Sequence, residues 1–206
     1  MGVTFPNGIT FVIDKDNKRT YNTNFKAKTA KLESRLKAKF KPSSLVMVIY
    51  DSQTGFTERM AEVVVEGAIS INGVDAELLK IGTPFSISKI NSADAIILGS
   101  PVIYGRVTPM MKAFLESMKE QKKLNKLNLS DKVGAAFGSY AFSGGWVIRG
   151  LSEKIDALGI RIVTPAVSVV DGVARRQPIR LEKQILESCL ELGKVVAEKV
   201  AIKTMV

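Results

Sequence analysis

The stretch Asp51-Ser52-Gln53-Thr54-Gly55-Phe56-Thr57-Glu58 places three hydroxyls and a glycine just ahead of a segment with helical periodicity. Hydroxyls, backbone N–H groups left accessible at a glycine and the positive end of a helix all favour a bound anion. The loop has no lysine, and neither G-x-x-x-x-G-K nor G-x-G-x-x-G occurs anywhere in the chain. A nucleoside triphosphate loop and a dinucleotide fingerprint are therefore excluded. One terminal monophosphate, held by hydroxyls and amides, is the ligand such a loop suits.

Two further loops combine glycines with aromatic residues. The first runs Gly99-Ser100-Pro101-Val102-Ile103-Tyr104-Gly105-Arg106-Val107-Thr108-Pro109, with Thr108 as a helix cap and Pro109 at the first helical position. The second runs Gly138-Ser139-Tyr140-Ala141-Phe142-Ser143-Gly144-Gly145-Trp146. Such loops suit a flat ring held between side chains while backbone amides read its polar edge. A phosphate cradle plus a ring slot describes a mononucleotide with a large aromatic head, namely FMN. Other chemistry is closed off by composition. The chain has no histidine, so Ser-His-Asp and Cys-His pairs and every histidine metal site are excluded within it. A lone Cys189, in an apolar helical pattern and expected to be inert, allows no internal disulfide or thiolate cluster. No metal site is expected.

The elements that must carry these loops follow from periodicity. Near-continuous apolar runs at 45–50, 76–81, 95–99, 133–138 and 161–170, the last interrupted by Pro165, read as strands covered on both faces. Helical periods fall at 57–71, 109–121, 144–158 and 178–203, with a short piece at 86–90. Strands alternating with helices give an open parallel sheet, whose ligands sit at the carboxyl ends of the strands. All three loops lie at that edge. Ahead of the sheet, residues 1–44 form a separate extension: Ile9, Phe11 and Ile13 alternate with polar residues, a turn-rich Asp14-Lys15-Asp16-Asn17-Lys18 follows, and a small hairpin is expected. Residues 25–40 read as a basic helix with Leu32, Leu36 and Phe40 in one stripe, stopped by Pro42.

Residues 45 to about 200 resemble flavodoxins, and more closely the flavodoxin-like domain of flavodiiron proteins (A-type flavoproteins). Ser52-Gln53-Thr54-Gly55-Phe56-Thr57 matches that family's S/T-x-T-G-x-T phosphate loop, GSPVIYG (99–105) its second flavin loop and FGSYAFSGG (137–145) its third. The resemblance implies an α/β, flavodoxin-like doubly wound sheet of five parallel strands in the order 2-1-3-4-5 with helices on both faces, over residues 45–206. It makes Ser52, Gln53, Thr54, Gly55, Phe56 and Thr57 the phosphate contacts. Ser100, Pro101, Val102, Ile103, Tyr104 and Gly105 line one side of the flavin, and Ser139, Tyr140, Ala141, Phe142, Ser143 and Gly144 the other. Two departures stand out: Ile103, with Tyr104 next to it, occupies the position where an aromatic often follows Ser-Pro-x, and Phe142 stands where the flavodiiron pattern commonly has Trp. With neither histidines nor room for a diiron domain, the flavin would carry the chemistry alone. Gly105 is the residue expected to tune it, because a glycine peptide can rotate to offer its carbonyl to the ring's N5 proton. Arg106 is placed to favour an anionic reduced ring by Coulomb attraction. A response-regulator domain of the same fold would need an acceptor Asp after the third strand, where Gly99-Ser100-Pro101 stands instead.

The function implied is an FMN redox protein carrying electrons between a reductase and a small carrier or terminal oxidoreductase. An NAD(P)H-dependent quinone or metal-ion reductase and a flavin-binding interaction or sensor module are the alternatives. The net charge is +10, of which +7 lies in residues 1–44, so an acidic rubredoxin- or ferredoxin-like partner is expected. A stripe of three apolar residues is too narrow for membrane binding, and no apolar run reaches 18 residues. Neither membrane nor nucleic acid is expected as a partner, a cytoplasmic location is expected, and a homo-oligomer is left open.

Overall fold

The computed structural model describes residues 2–4, 10–13, 19–21, 44–171 and 178–204. The chain divides into two compact units, Met1–Lys41 and Pro42–Val206. In the first unit, β1 (Gly2–Thr4), β2 (Thr10–Ile13) and β3 (Arg19–Tyr21) form an antiparallel sheet in that order. The expected hairpin is β2–β3, with Phe11 opposite Tyr21 and Ile13 opposite Arg19; β1 adds a strand that its three residues did not signal. The helix expected at 25–40 lies outside the described residues.

The second unit is built on a parallel sheet. Its strands are β4 (Ser44–Tyr50), β5 (Val74–Lys80), β6 (Ala95–Gly99), β9 (Val133–Tyr140), β10 (Arg161–Ile162) and β11 (Val167–Val170). β10 and β11 both pair with β9, one on each side of the Pro165 interruption, so six strands fill five positions. The order is β5-β4-β6-β9-β10/β11, which is 2-1-3-4-5 for five strand positions. Between β6 and β9 the short strands β7 (Val102–Ile103) and β8 (Arg106–Val107) form an antiparallel ribbon.

The apolar runs are explained by burial on both faces. Val46, Val48 and Tyr50 of β4 point to one side, with Ile97 and Phe137, against α1 (Phe56–Ile69) and α5 (Pro178–Thr204). Met47 and Ile49 point to the other, with Ile96 and Leu98, against α3 (Pro109–Lys123) and α4 (Gly145–Ala157). Ile90 of the short α2 (Ile87–Ser92) joins this second layer. Gly99 and Phe137 are register partners, and a Cβ on Gly99 would come 2.1 Å from the Phe137 ring, so that ring takes the space the glycine leaves. Cys189 is buried in the first layer, and burial pushes its thiol up to about 12. The expected inert role follows, since the thiolate is the reactive form.

Candidate functional site

β4 ends at Tyr50, and the chain turns through Asp51 to Gly55 before α1 opens at Phe56. Gly55 sits in the left-handed region at φ 85°, where glycine carries no steric penalty. Its N–H donates to Ser52 Oγ at 3.1 Å and its carbonyl accepts from Arg59 N at 3.0 Å. That carbonyl is the first the helix offers. The N–H groups of Phe56, Thr57 and Glu58 therefore have no intrahelical acceptor, and no side chain caps them. Gln53, Thr54 and Gly55 are exposed, and a Cβ built on Gly55 would meet nothing within 4 Å. The loop is an open, uncapped helix mouth with one exposed hydroxyl, that of Thr54, which fits a phosphate.

Glu58, in the first turn of α1, would oppose an anion unless its charge were engaged. It is engaged twice. Tyr50 Oη donates to Glu58 Oε1 at 2.6 Å and Lys80 Nζ to Oε2 at 3.2 Å. The tyrosine hydrogen bond first, and then Lys80, hold the Glu58 carboxyl below the usual range. Burial foremost, and then Glu58, raise the Tyr50 hydroxyl well above its ordinary value. Lys80 Nζ also lies 5.9 Å from the centre of the Tyr50 ring. No motif in the sequence announced this triad.

The second loop is a hairpin turn. β7 and β8 pair Val102 with Val107 and Ile103 with Arg106, leaving Tyr104 and Gly105 as the two central residues, at φ 49° and 71°. Two consecutive positive φ values in a two-residue hairpin are the type I′ geometry, and only the glycine adopts it without strain. The ribbon lifts the Tyr104 side chain fully into solvent, at 100% exposure. Ser100 anchors its base: fully buried, its Oγ donates to the Pro101 carbonyl at 2.9 Å and accepts from Thr108 N at 3.3 Å. Thr108 Oγ1 accepts from Met111 N at 3.1 Å, the cap expected ahead of Pro109.

The third loop is shorter than the sequence reading had it. β9 runs to Tyr140 because Ser139 and Tyr140 pair with Val169 and Val170 of β11, so both residues belong to the strand rather than to the loop. Ser139 Oγ and Thr57 Oγ1, both buried, lie 3.1 Å apart and tie the end of β9 to the phosphate-loop helix. Ala141, Phe142 and Ser143 form the exposed tip, with Phe142 95% exposed. Gly144 lets this loop close on the second one, since a Cβ there would come 2.7 Å from Tyr140 and 3.0 Å from Val102. Trp146 lies in the first turn of α4, 58% exposed, with its ring beside Gly105.

The three loops thus converge at the carboxyl edge of β4, β6 and β9. The expected residues divide into two roles. Gln53, Thr54, Gly55, Ile103, Tyr104, Gly105, Ala141, Phe142 and Ser143 are accessible or partly so. Ser52, Thr57, Ser100 and Ser139 are buried with their hydroxyls engaged within the protein and hold the loops in place, together with half-buried Phe56, Pro101, Val102 and Tyr140 and buried Gly144. Among the described residues no cluster of carboxylate or thiol side chains is arranged to hold a metal. None of the described helices is long and apolar enough to cross a membrane.

The flavodoxin family model matches residues 48–182. The chain is 30% identical over 173 residues to a flavodoxin of Aquifex aeolicus, an alignment covering 76% of this chain and 87% of that one. It is 28% identical over 158 residues to a nitric oxide reductase of Moorella thermoacetica, covering 75% of this chain and 36% of that protein. It is 30% identical over 135 residues to the rubredoxin-oxygen oxidoreductase of Megalodesulfovibrio gigas, covering 64% of this chain and 32% of that one. The chain thus spans about a third of the length of these two larger relatives. Among solved structures, a flavodoxin from the domain Archaea superposes with a TM-score of 0.61 at 27% identity, covering 76% of this chain and 99% of that one. With the sheet order, the uncapped phosphate loop and the two aromatic loops already in place, these matches settle the family: the chain belongs to the flavodoxins, and its cofactor is FMN.

Proposed function

We propose that the protein is an electron-transfer flavoprotein that accepts electrons from a reductase and passes them to, or exchanges them with, a small acidic redox protein. FMN supplies reversible electron uptake and release. The loop 52–57 holds its phosphate through the free N–H groups of α1 and the exposed Thr54 hydroxyl. Tyr104 and Phe142 flank the ring, and Gly105 offers a peptide that can turn toward its N5 position. The observation that carries the reading is the exposure of the two aromatic tips, Tyr104 and Phe142: a ring held between them would have its edge at the protein surface, where another protein can approach it. The net charge of +10 supports an acidic partner. The name of the rubredoxin-oxygen oxidoreductase, to which this chain is 30% identical, supports a rubredoxin-like one.

Stopped-flow absorbance at the flavin band tests this. Reduction by NADH or NADPH alone should be slow, and a reductase should make it fast. Rapid direct reduction with repeated turnover on a quinone would replace the carrier reading with that of an NAD(P)H-dependent reductase. Absence of exchange with any donor or carrier would leave a binding or sensor module.

A further inference from the structure

One groove among the described residues lies away from the 52–57 loop. It has a volume of about 1190 Å³, starts at Gly105 and runs between α3 and α4 to Leu158. At the far end Lys122 Nζ donates to the Leu158 carbonyl at 2.6 Å. Between Pro109 and Lys119, α3 rises about 15 Å, the span of about four to five extended residues.

Three observations bear on what fills it. Six charged side chains line it: Arg106, Lys112, Lys119 and Lys154 against Glu116 and Glu153. Among the described residues none of the six is within ion-pair distance of an opposite charge. An excess of unpaired cations along one groove attracts an anionic occupant. Second, Gly150 lies in the middle of α4 and lines the groove, yet a Cβ there would meet nothing within 4 Å. Glycine inside a helix is destabilising relative to alanine, and neither the backbone angle nor any neighbour requires it. What the missing side chain does is keep the groove open to the helix backbone. Third, half-exposed Trp146 stands at the mouth beside Gly105, and Trp and Arg are the residue types that anchor protein interfaces.

We propose that the α3–α4 groove is the docking site for an acidic segment of the redox partner, an inference that rests on the electron-carrier reading above. The segment lies along the groove against Gly150, its carboxylates meet Arg106, Lys112 and Lys119, and Trp146 anchors it at the mouth beside Gly105. A second copy of the chain, at +10, or the chain's own residues 1–44, at +7, carry the wrong sign for this groove.

The test uses the full chain loaded with FMN and zinc-substituted rubredoxin as an acidic probe that binds without electron transfer. Affinity is measured by ¹⁵N amide and Trp146 indole shifts at low salt. Wild-type protein should bind, with the indole signal moving. Reversing four units of charge in K112E/K119E should weaken binding about tenfold and flatten its salt dependence. K126E/K199E, with the same charge change outside the groove, should weaken it less than about threefold. Gly150→Met, which fills the groove and suits the helix, should weaken binding about tenfold without lowering the melting temperature. Equal weakening by the two charge variants, unchanged binding by Gly150→Met, or no binding by wild type overturns the groove. So does a wild-type dimer that Gly150→Met abolishes. If the protein still carries flavin and exchanges electrons in those cases, the carrier reading stands; a colourless wild-type protein overturns both.

Discussion

Replacing Gly55 separates two effects that a phosphate loop combines. At φ 85° the backbone is left-handed, and an ordinary L-residue placed there is strained by about 1–2 kcal/mol. For a domain of this size that is a fall in melting temperature of about 2–8 °C. Nothing within 4 Å obstructs a Cβ, so Gly55→Ala folds and loses only that. Asn tolerates the same region, and Gly55→Asn should melt within about 2 °C of wild type. At the N-cap, its side-chain oxygen can nevertheless accept from the free N–H of Thr57 or Glu58 and so compete with a bound phosphate. Displacing one charge-assisted hydrogen bond to the phosphate costs about 1.5–3 kcal/mol, which is about 10- to 150-fold in Kd. Gly55→Val combines branched-chain strain with the block and should bind no FMN at all. Quenching of FMN fluorescence on titration with apoprotein gives the affinities, and thermal melts of the apoproteins give the strain. Gly55→Asn binding FMN as tightly as wild type would refute the assignment of this loop to the phosphate, whatever its stability.

Thr57→Val leaves the buried Ser139 hydroxyl unpartnered and should destabilise by about 1–3 kcal/mol, while Thr57→Val/Ser139→Ala should cost less than the sum of the singles, measured by urea denaturation. Because the Glu58 carboxyl is held low in the folded state, its contribution is present above the unfolded value near 4.5 and lost as pH falls through the folded value. Tyr50→Phe removes the largest cause, so the variant's acid-side stability loss should be shallower than wild type's. Tyr50 has its folded value raised, so the wild type should also lose stability above pH 10, where the unfolded tyrosine ionises first, and Tyr50→Phe should lack that component. Gly150→Ala should stabilise by about 1 kcal/mol in the same denaturation series, since its Cβ has open space in a helix interior.

What could be read from the sequence follows from the range of the interactions involved. The buried strands were legible because coverage on both faces demands runs such as LVMVIY and AIILG, and Thr108-Pro109 announces a helix start through local chemistry alone. Pro165 split the fifth strand where it was expected to. The loop boundaries were less accessible. Ser139 and Tyr140 look like loop residues beside Gly138 and Gly144, and only pairing with β11, some thirty residues later, makes them strand. The Tyr104-Gly105 turn was hidden for a different reason, since tyrosine is an unusual choice for a positive φ. Its conformation is set by the Val102–Val107 and Ile103–Arg106 pairs around it.

The Tyr50-Glu58-Lys80 triad shows why charge at such a site resists reading from the sequence. Asp51 and Glu58 bracket a loop meant for an anion, and in isolation the helix N-terminus would seem to hold a competing carboxylate. The conflict is resolved by the register of two strands: Tyr50 and Lys80 are direct partners across β4 and β5, at the strand ends that face the first turn of α1. That placement puts a phenol donor and an ammonium on the two oxygens of one carboxylate. Lys80 therefore neutralises the side chain that would repel a phosphate bound at this loop, and would leave such a phosphate to the amides and the exposed Thr54 hydroxyl. A lysine absent from the phosphate loop still sets its charge balance, and it does so from the neighbouring strand.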